Sequence, residues 1–97
     1  MRVRFVPQAR EELMQATAHY QDQSNDLAER FLADVAGAID LLQQFPGIGP
    51  PITGNVRRLL LRTFPYQLVY RLEGDDIRVF AVAHLKRRPG YWRKRLR

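Results

Sequence analysis

No cysteine occurs in the 97-residue chain, which excludes a disulfide framework, a thiolate nucleophile and any zinc site built on sulfur. Histidine is almost as scarce. His19 and His84 stand alone, without carboxylates at ligand spacing, and make no metal site. No apolar run approaches the ~20 residues that cross a bilayer, so a membrane-spanning helix is excluded. The chain passes from Met1 to Glu11 and Glu12 without an apolar stretch of signal-peptide length, and the cytoplasm is the expected location. Repeats and low-complexity segments are absent. Gly47-x-Gly49 lacks the lysine and following helix of a phosphate-binding loop. Glu73, Asp75 and Asp76 are the only acids after residue 48, and they read as turn residues, not as a paired acid and base.

That shortage of acid has a counterpart. Residues 49–97 hold twelve basic side chains against those three acids, whereas residues 1–48 hold four against seven. The overall charge of +6 therefore hides two halves of opposite sign. Fourteen of the sixteen cations are arginine, which suits bidentate contact with phosphate or carboxylate. An anionic partner is expected, either nucleic acid or an acidic protein segment.

With 45% hydrophobic and 27% charged residues, the composition is that of one folded domain spanning residues 1–97. Val3 and Phe5 alternate with arginines as in a short strand. Pro7 suits the first turn of a helix, and Ala9, Leu13, Ala16 and Tyr20 then recur at helical spacing. Ser24-Asn25-Asp26 interrupts that run and offers N-cap side chains to a second helix. Leu27, Phe31, Val35, Ile39 and Leu42 form its apolar stripe, and it should run to about Gln44, ahead of Pro46. Phe45–Pro51 reads as a rigid irregular connector. Beyond it the period changes to two, with strands expected over Val56–Arg62, Tyr66–Leu72 and Ile77–His84 and a hairpin turn at Glu73–Asp76. The expected architecture is α+β, with an N-terminal strand, an αα-hairpin packed on an antiparallel sheet, and a basic tail from Lys86 to Arg97.

Ala9-x-x-Glu12-Leu13, Tyr20, Leu27-Ala28-x-Arg30-Phe31, Ala38-Ile39-x-x-Leu42 and Pro46-x-x-Gly49 follow one another in the first half. Val56-Arg57-Arg58, Phe64-Pro65-Tyr66, Val69-Tyr70, Ala81-Val82-x-His84, Arg87-Arg88-Pro89 and Tyr91-Trp92 follow in the second. In this order and spacing the series resembles the RelE/ParE toxin superfamily over nearly the whole chain. The resemblance implies a toxin of a type II toxin–antitoxin module, associated with plasmid stabilisation and growth arrest. It also implies neutralisation by a ParD- or RelB-like antitoxin in a hetero-oligomer, with no cofactor. The superfamily has two mechanisms. ParE-like members inhibit DNA gyrase by binding; RelE-like members cut mRNA on the ribosome.

Between these branches, Gln67 stands where RelE-like ribonucleases tend to carry an arginine, whereas Arg87 matches the arginine those enzymes carry after the last strand. The balance favours a ParE-like inhibitor of gyrase over an enzyme; the alternative is a ribosome-dependent endoribonuclease using Arg87, His84 and Tyr91. His84 reads first as a strand-end residue making a local hydrogen bond, and Trp92 as a cover for the sheet. Arg87, Arg88, Tyr91, Arg93, Lys94 and Arg95 are the expected target-binding residues. Leu13, Tyr20, Arg30, Phe31, Arg57 and Arg58 are expected to meet the antitoxin. With the core upstream, residues 93–97 are expected to be removable without loss of the fold.

Overall fold

The computed structural model describes residues 1–97. In chain order it contains β1 (Arg2–Phe5), α1 (Pro7–Gln23), α2 (Asn25–Gln44), β2 (Pro51–Thr53), β3 (Val56–Leu60), β4 (Tyr66–Glu73) and β5 (Asp76–His84), then a 3-10 turn at Arg93–Leu96. No helix is long and apolar enough to cross a membrane. Proline opens α1, where its missing N–H costs nothing. Ser24 alone separates the two helices. Its hydroxyl accepts from the Leu27 amide at 3.0 Å, capping α2, and its extended backbone turns the chain back.

The five strands lie in the order β1-β5-β4-β3-β2. β3, β4 and β5 form the expected antiparallel meander, Gly74 supplying the positive φ of the β4–β5 turn. Two features differ from the expected sheet, one in strand direction and one in strand number. β1 joins β5 in parallel, Arg2 opposite Asp76 and Phe5 opposite Val79, which makes the sheet mixed. β2 is a further short strand within what reads in sequence as an irregular connector. It pairs across Gly54, whose φ of +53° closes the tight β2–β3 turn.

Both helices cover one sheet face. Ala9 and Ala16 from α1 and Phe31, Val35, Ala38 and Leu42 from α2 meet Leu68, Tyr70, Ile77, Val79 and Val82 in the main core. The alanines let α1 approach the sheet closely. At one end Tyr20, Phe31, Phe64 and Tyr66 pack as an aromatic group with ring centres 4.9–6.3 Å apart. On the far face a smaller cluster of Val56, Val69, Ala81 and Ala83 is closed by Trp92 from the tail.

The connector is held from below by a buried tyrosine. The Tyr70 hydroxyl accepts from the Gly49 amide at 3.0 Å and donates to the Pro46 carbonyl at 2.9 Å. Arg57 adds hydrogen bonds to the carbonyls of Gly47 and Gly49 at 3.2 and 2.7 Å. A Cβ on Gly49 would collide with the Arg58 carbonyl, so only glycine permits this approach.

Candidate functional site: a carboxylate-anchored tail beside a basic pocket

β1 ends at Phe5, four residues into its pairing, while β5 continues to His84. The outward backbone groups of β5 beyond Val79 therefore need other partners. Glu12, projecting from α1, supplies one: its Oε1 accepts from the Val82 amide at 3.1 Å. Arg95 supplies another, donating to the Phe80 carbonyl at 3.0 Å. These two side chains then pair bidentately, Nη1 to Oε1 at 2.8 Å and Nη2 to Oε2 at 3.1 Å. The Tyr91 hydroxyl completes the group by donating to Glu12 Oε2 at 2.7 Å. One helix carboxylate thus ties the C-terminal segment around the sheet edge, and Trp92 and Leu96 are pulled onto the sheet.

The same tie sets the neighbouring chemistry. Burial, and then the bond to Glu12, push the Tyr91 hydroxyl up to about 12. Arg87 stacks on the Tyr91 ring, its guanidinium carbon 3.9 Å from the centroid. His84 accepts the Lys86 amide on Nδ1 at 3.0 Å and packs edge-on against Tyr66, 5.0 Å between ring centres. The Tyr66 hydroxyl is pushed up by burial and by Tyr20. Beside Arg87, a pocket of about 220 Å³ opens on the far sheet face, its lining including Arg58, Gln67, His84, Arg87, Arg88 and Tyr91 and no carboxylate. Gln67 Oε1 is buried there without a donor, and no ion pair occupies Arg58, Arg87 or Arg88.

A second hollow, about 510 Å³, runs between α2 and the edge of β3, with Arg30, Gly37, Leu41, Leu60 and Arg62 among its lining residues. Asp34 organises its rim by accepting three consecutive amides, Arg62, Thr63 and Phe64, at 3.0, 2.9 and 3.0 Å.

The expected target-binding residues prove to be of two kinds. Arg87, Arg88, Arg93 and Lys94 are exposed and unpaired, whereas Tyr91 and Arg95 are engaged by Glu12. Trp92 is 3% exposed, a cover for the sheet as its sequence setting suggests. The expectation that residues 93–97 are dispensable for folding is corrected: Arg95 and Leu96 anchor the segment to the core. The residues assigned to the antitoxin do not form one surface. Phe31 is wholly buried, Leu13 and Tyr20 are half-buried against the core, and Arg30 pairs with Asp26 at 2.8 Å on its own helix. Arg57 and Arg58 point to opposite sheet faces, as neighbours on a strand must. Glu12 and Asp34 were not singled out from sequence as functional residues, although Glu12 stands in the Ala9-x-x-Glu12 pattern.

The chain is thus a two-helix layer on a five-stranded mixed sheet, with a basic face and a tied-down tail. The family model described as ParE toxin of type II toxin–antitoxin system, parDE, matches residues 3–89, and the chain belongs to this family. A Sinorhizobium fredii (strain NBRC 101917 / NGR234) protein described as "Putative toxin Y4kP" is 30% identical over 84 residues, 86% of each chain. In fold, the chain resembles a solved structure of the chromosomal ParDE toxin–antitoxin system from P. aeruginosa. That likeness has a TM-score of 0.74 at 23% identity and covers 87% of this chain and 95% of the other.

Proposed function

We propose that this ParE-family toxin arrests growth by binding DNA gyrase, performs no reaction of its own, and is neutralised by a cognate antitoxin in a hetero-oligomeric complex. The observation that carries the reading is the state of Tyr91. As the general acid or base of a ribonuclease, it would need a hydroxyl free to exchange protons near neutral pH. Its hydroxyl is instead held by Glu12 and pushed up to about 12. Gln67 adds to this. A neutral amide stands on the pocket floor where message cutting would be served by a cation on the scissile phosphate.

The hollow between α2 and β3 is the proposed seat of the antitoxin. It is flanked by Arg30 and Arg62, and Leu60 is exposed beside it, which suits an amphipathic segment that orders on binding. The exposed cations Arg87, Arg88, Arg93 and Lys94 are the proposed target contacts.

A single substitution separates the two mechanisms. If a message-cutting activity were present, Gln67→Arg should raise it, since a well-placed donor of this kind is worth about 10²–10³ in rate. The gyrase reading expects mRNA on translating ribosomes to stay intact with both the unmodified protein and the variant. Ribosome-dependent cleavage by the unmodified protein, abolished by Arg87→Ala, would transfer the function to the RelE-like branch.

A further inference from the structure

Two hollows lined by arginine without any carboxylate flank the helix-free sheet face. One is the pocket of Arg58, Arg87 and Arg88. The other, about 490 Å³, opens at the β1 edge beside the start of α1, with Arg4 and Arg78 from the strands and Arg10 from the helix among its lining residues. Between them lies the tail, carrying Arg93 and Lys94 exposed to solvent. The acids of this face are already engaged: Asp76 lies 3.6 and 3.5 Å from Arg2 and Arg4, and Glu73 pairs with Arg71. Arg78 also lies 3.8 Å from Glu73, so each of these two acids is shared by two arginines and the pairs keep a net positive charge.

The spacing of the hollows is informative. Arg4, Arg78, Arg71 and Val56 stand in register across β1, β5, β4 and β3, and Arg58 lies two residues beyond Val56. Three strand intervals and two residues of rise put Arg4 and Arg58 about 16 Å apart at the backbone. Two rows of phosphates flanking a DNA major groove, roughly 12 Å wide before the phosphates' own size is added, have a comparable separation.

The face has no broad apolar centre for a protein partner. Its aromatic side chains Phe80 and Trp92 are buried and Tyr91 is half-buried; Leu60 and Leu85 are exposed at the Arg58 hollow, while Met14 and Leu32 lie on the helices and Phe45 and Ile48 in the connector. Protein interfaces draw their affinity from a desolvated apolar or aromatic centre; phosphate recognition needs only distributed cations.

We propose that this face binds duplex DNA, the two arginine hollows holding the phosphate rows on either side of a major groove and the Arg93–Lys94 ridge facing the groove between them. The proposal deepens the gyrase reading by making the DNA held by the enzyme part of the toxin's target, and rests on that reading only for where the two meet.

Fluorescence anisotropy with a labelled 20-base-pair duplex tests it without gyrase. Four to six phosphate contacts predict that log K falls with log salt at a slope of about −4 to −5. Arg4→Gln at one hollow and Arg58→Gln at the other should each reduce that slope by about 1, and together by about 2. Arg30→Gln, on α2, should leave it unchanged, and Trp92 emission should report an intact tail in every variant. The proposal is overturned if the duplex does not bind at low salt, if the two variants bind like the unmodified protein, or if single-stranded RNA or a poly-glutamate peptide binds more tightly than the duplex. Gyrase inhibition without DNA affinity would sink this proposal and leave the gyrase reading standing. DNA affinity without gyrase inhibition would do the reverse.

Discussion

Replacing Glu12 by glutamine should release the C-terminal segment and destabilise the whole domain. The side chains of Glu12 and Arg95 are only 13% and 17% exposed, so the pair is largely shielded from water. Removing one partner of such a pair leaves the other charge buried and unmatched, at a cost of about 3–5 kcal/mol. Glutamine with its oxygen at Oε1 keeps the Val82 amide and Arg95 Nη1, but its NH2 group then faces the Arg95 Nη2 donor and the charge match is lost, so the loss for Glu12→Gln should fall just below that range, at about 2–3 kcal/mol. For a domain of this size that lowers the melting temperature by roughly 10–20 °C. The chain reports its own tail position, because Trp92 is its single tryptophan and is buried by the contact in question. Urea unfolding followed by both circular dichroism and tryptophan emission should show a lower midpoint. In the variant, the emission should also be red-shifted before the main transition. A cycle with Arg95→Met should return a coupling of at least about 1 kcal/mol between the two positions. An unchanged midpoint with unshifted emission would refute the idea that Glu12 holds the tail.

Three further outcomes follow from the same geometry. Tyr70→Phe removes the hydroxyl that pairs both Gly49 N–H and Pro46 C=O, and should cost about 1–3 kcal/mol in urea unfolding while leaving the backbone fold unchanged by NMR. Asp34→Ala frees three amides at the rim of the antitoxin hollow. Because the Arg62 and Thr63 amides are exposed and only that of Phe64 is part-buried, the loss should be small, about 1 kcal/mol, while hydrogen exchange at Arg62, Thr63 and Phe64 accelerates. Tyr91 gives a signed pH dependence. Its hydroxyl titrates at about 12 in the folded chain, above the unfolded value near 10, so its contribution is complete below pH about 10 and is lost as pH rises through about 12. Phenolate absorbance and Trp92 emission should therefore change together over that alkaline window in the unmodified protein, and Tyr91→Phe should abolish the link.

The helical hairpin was legible because its apolar stripe repeats locally, and the Ser24 break carries a cap that sequence reveals. The β3–β5 meander was legible for the same reason, through period-two patterning and a Gly-Asp turn. β2 was not, since Pro50 and Pro51 read as turn residues and the strand is only three residues long. The parallel pairing of β1 joins residues more than seventy positions apart, which no local period encodes. The candidate site failed to show for a related reason. Glu12 looks like any solvated carboxylate on a helix, and its partners lie seventy to eighty-three residues away. Its one signal was indirect: a tail with two aromatic residues and no acid must find its counter-charge elsewhere. Arg95 was therefore read as free charge when it is a structural ligand of Glu12, whereas Trp92, whose large indole has a strong reason to be buried, was read correctly.

The gyrase reading is tested most directly by a supercoiling reaction containing purified gyrase, relaxed plasmid and the isolated toxin, with and without its antitoxin. Inhibition that rises with toxin concentration, disappears when the antitoxin is added, and weakens when Arg87, Arg88, Arg93 and Lys94 are replaced together by glutamine is the expected result. Full supercoiling activity at toxin concentrations that arrest growth, alongside cut messenger RNA in the arrested cells, would contradict it.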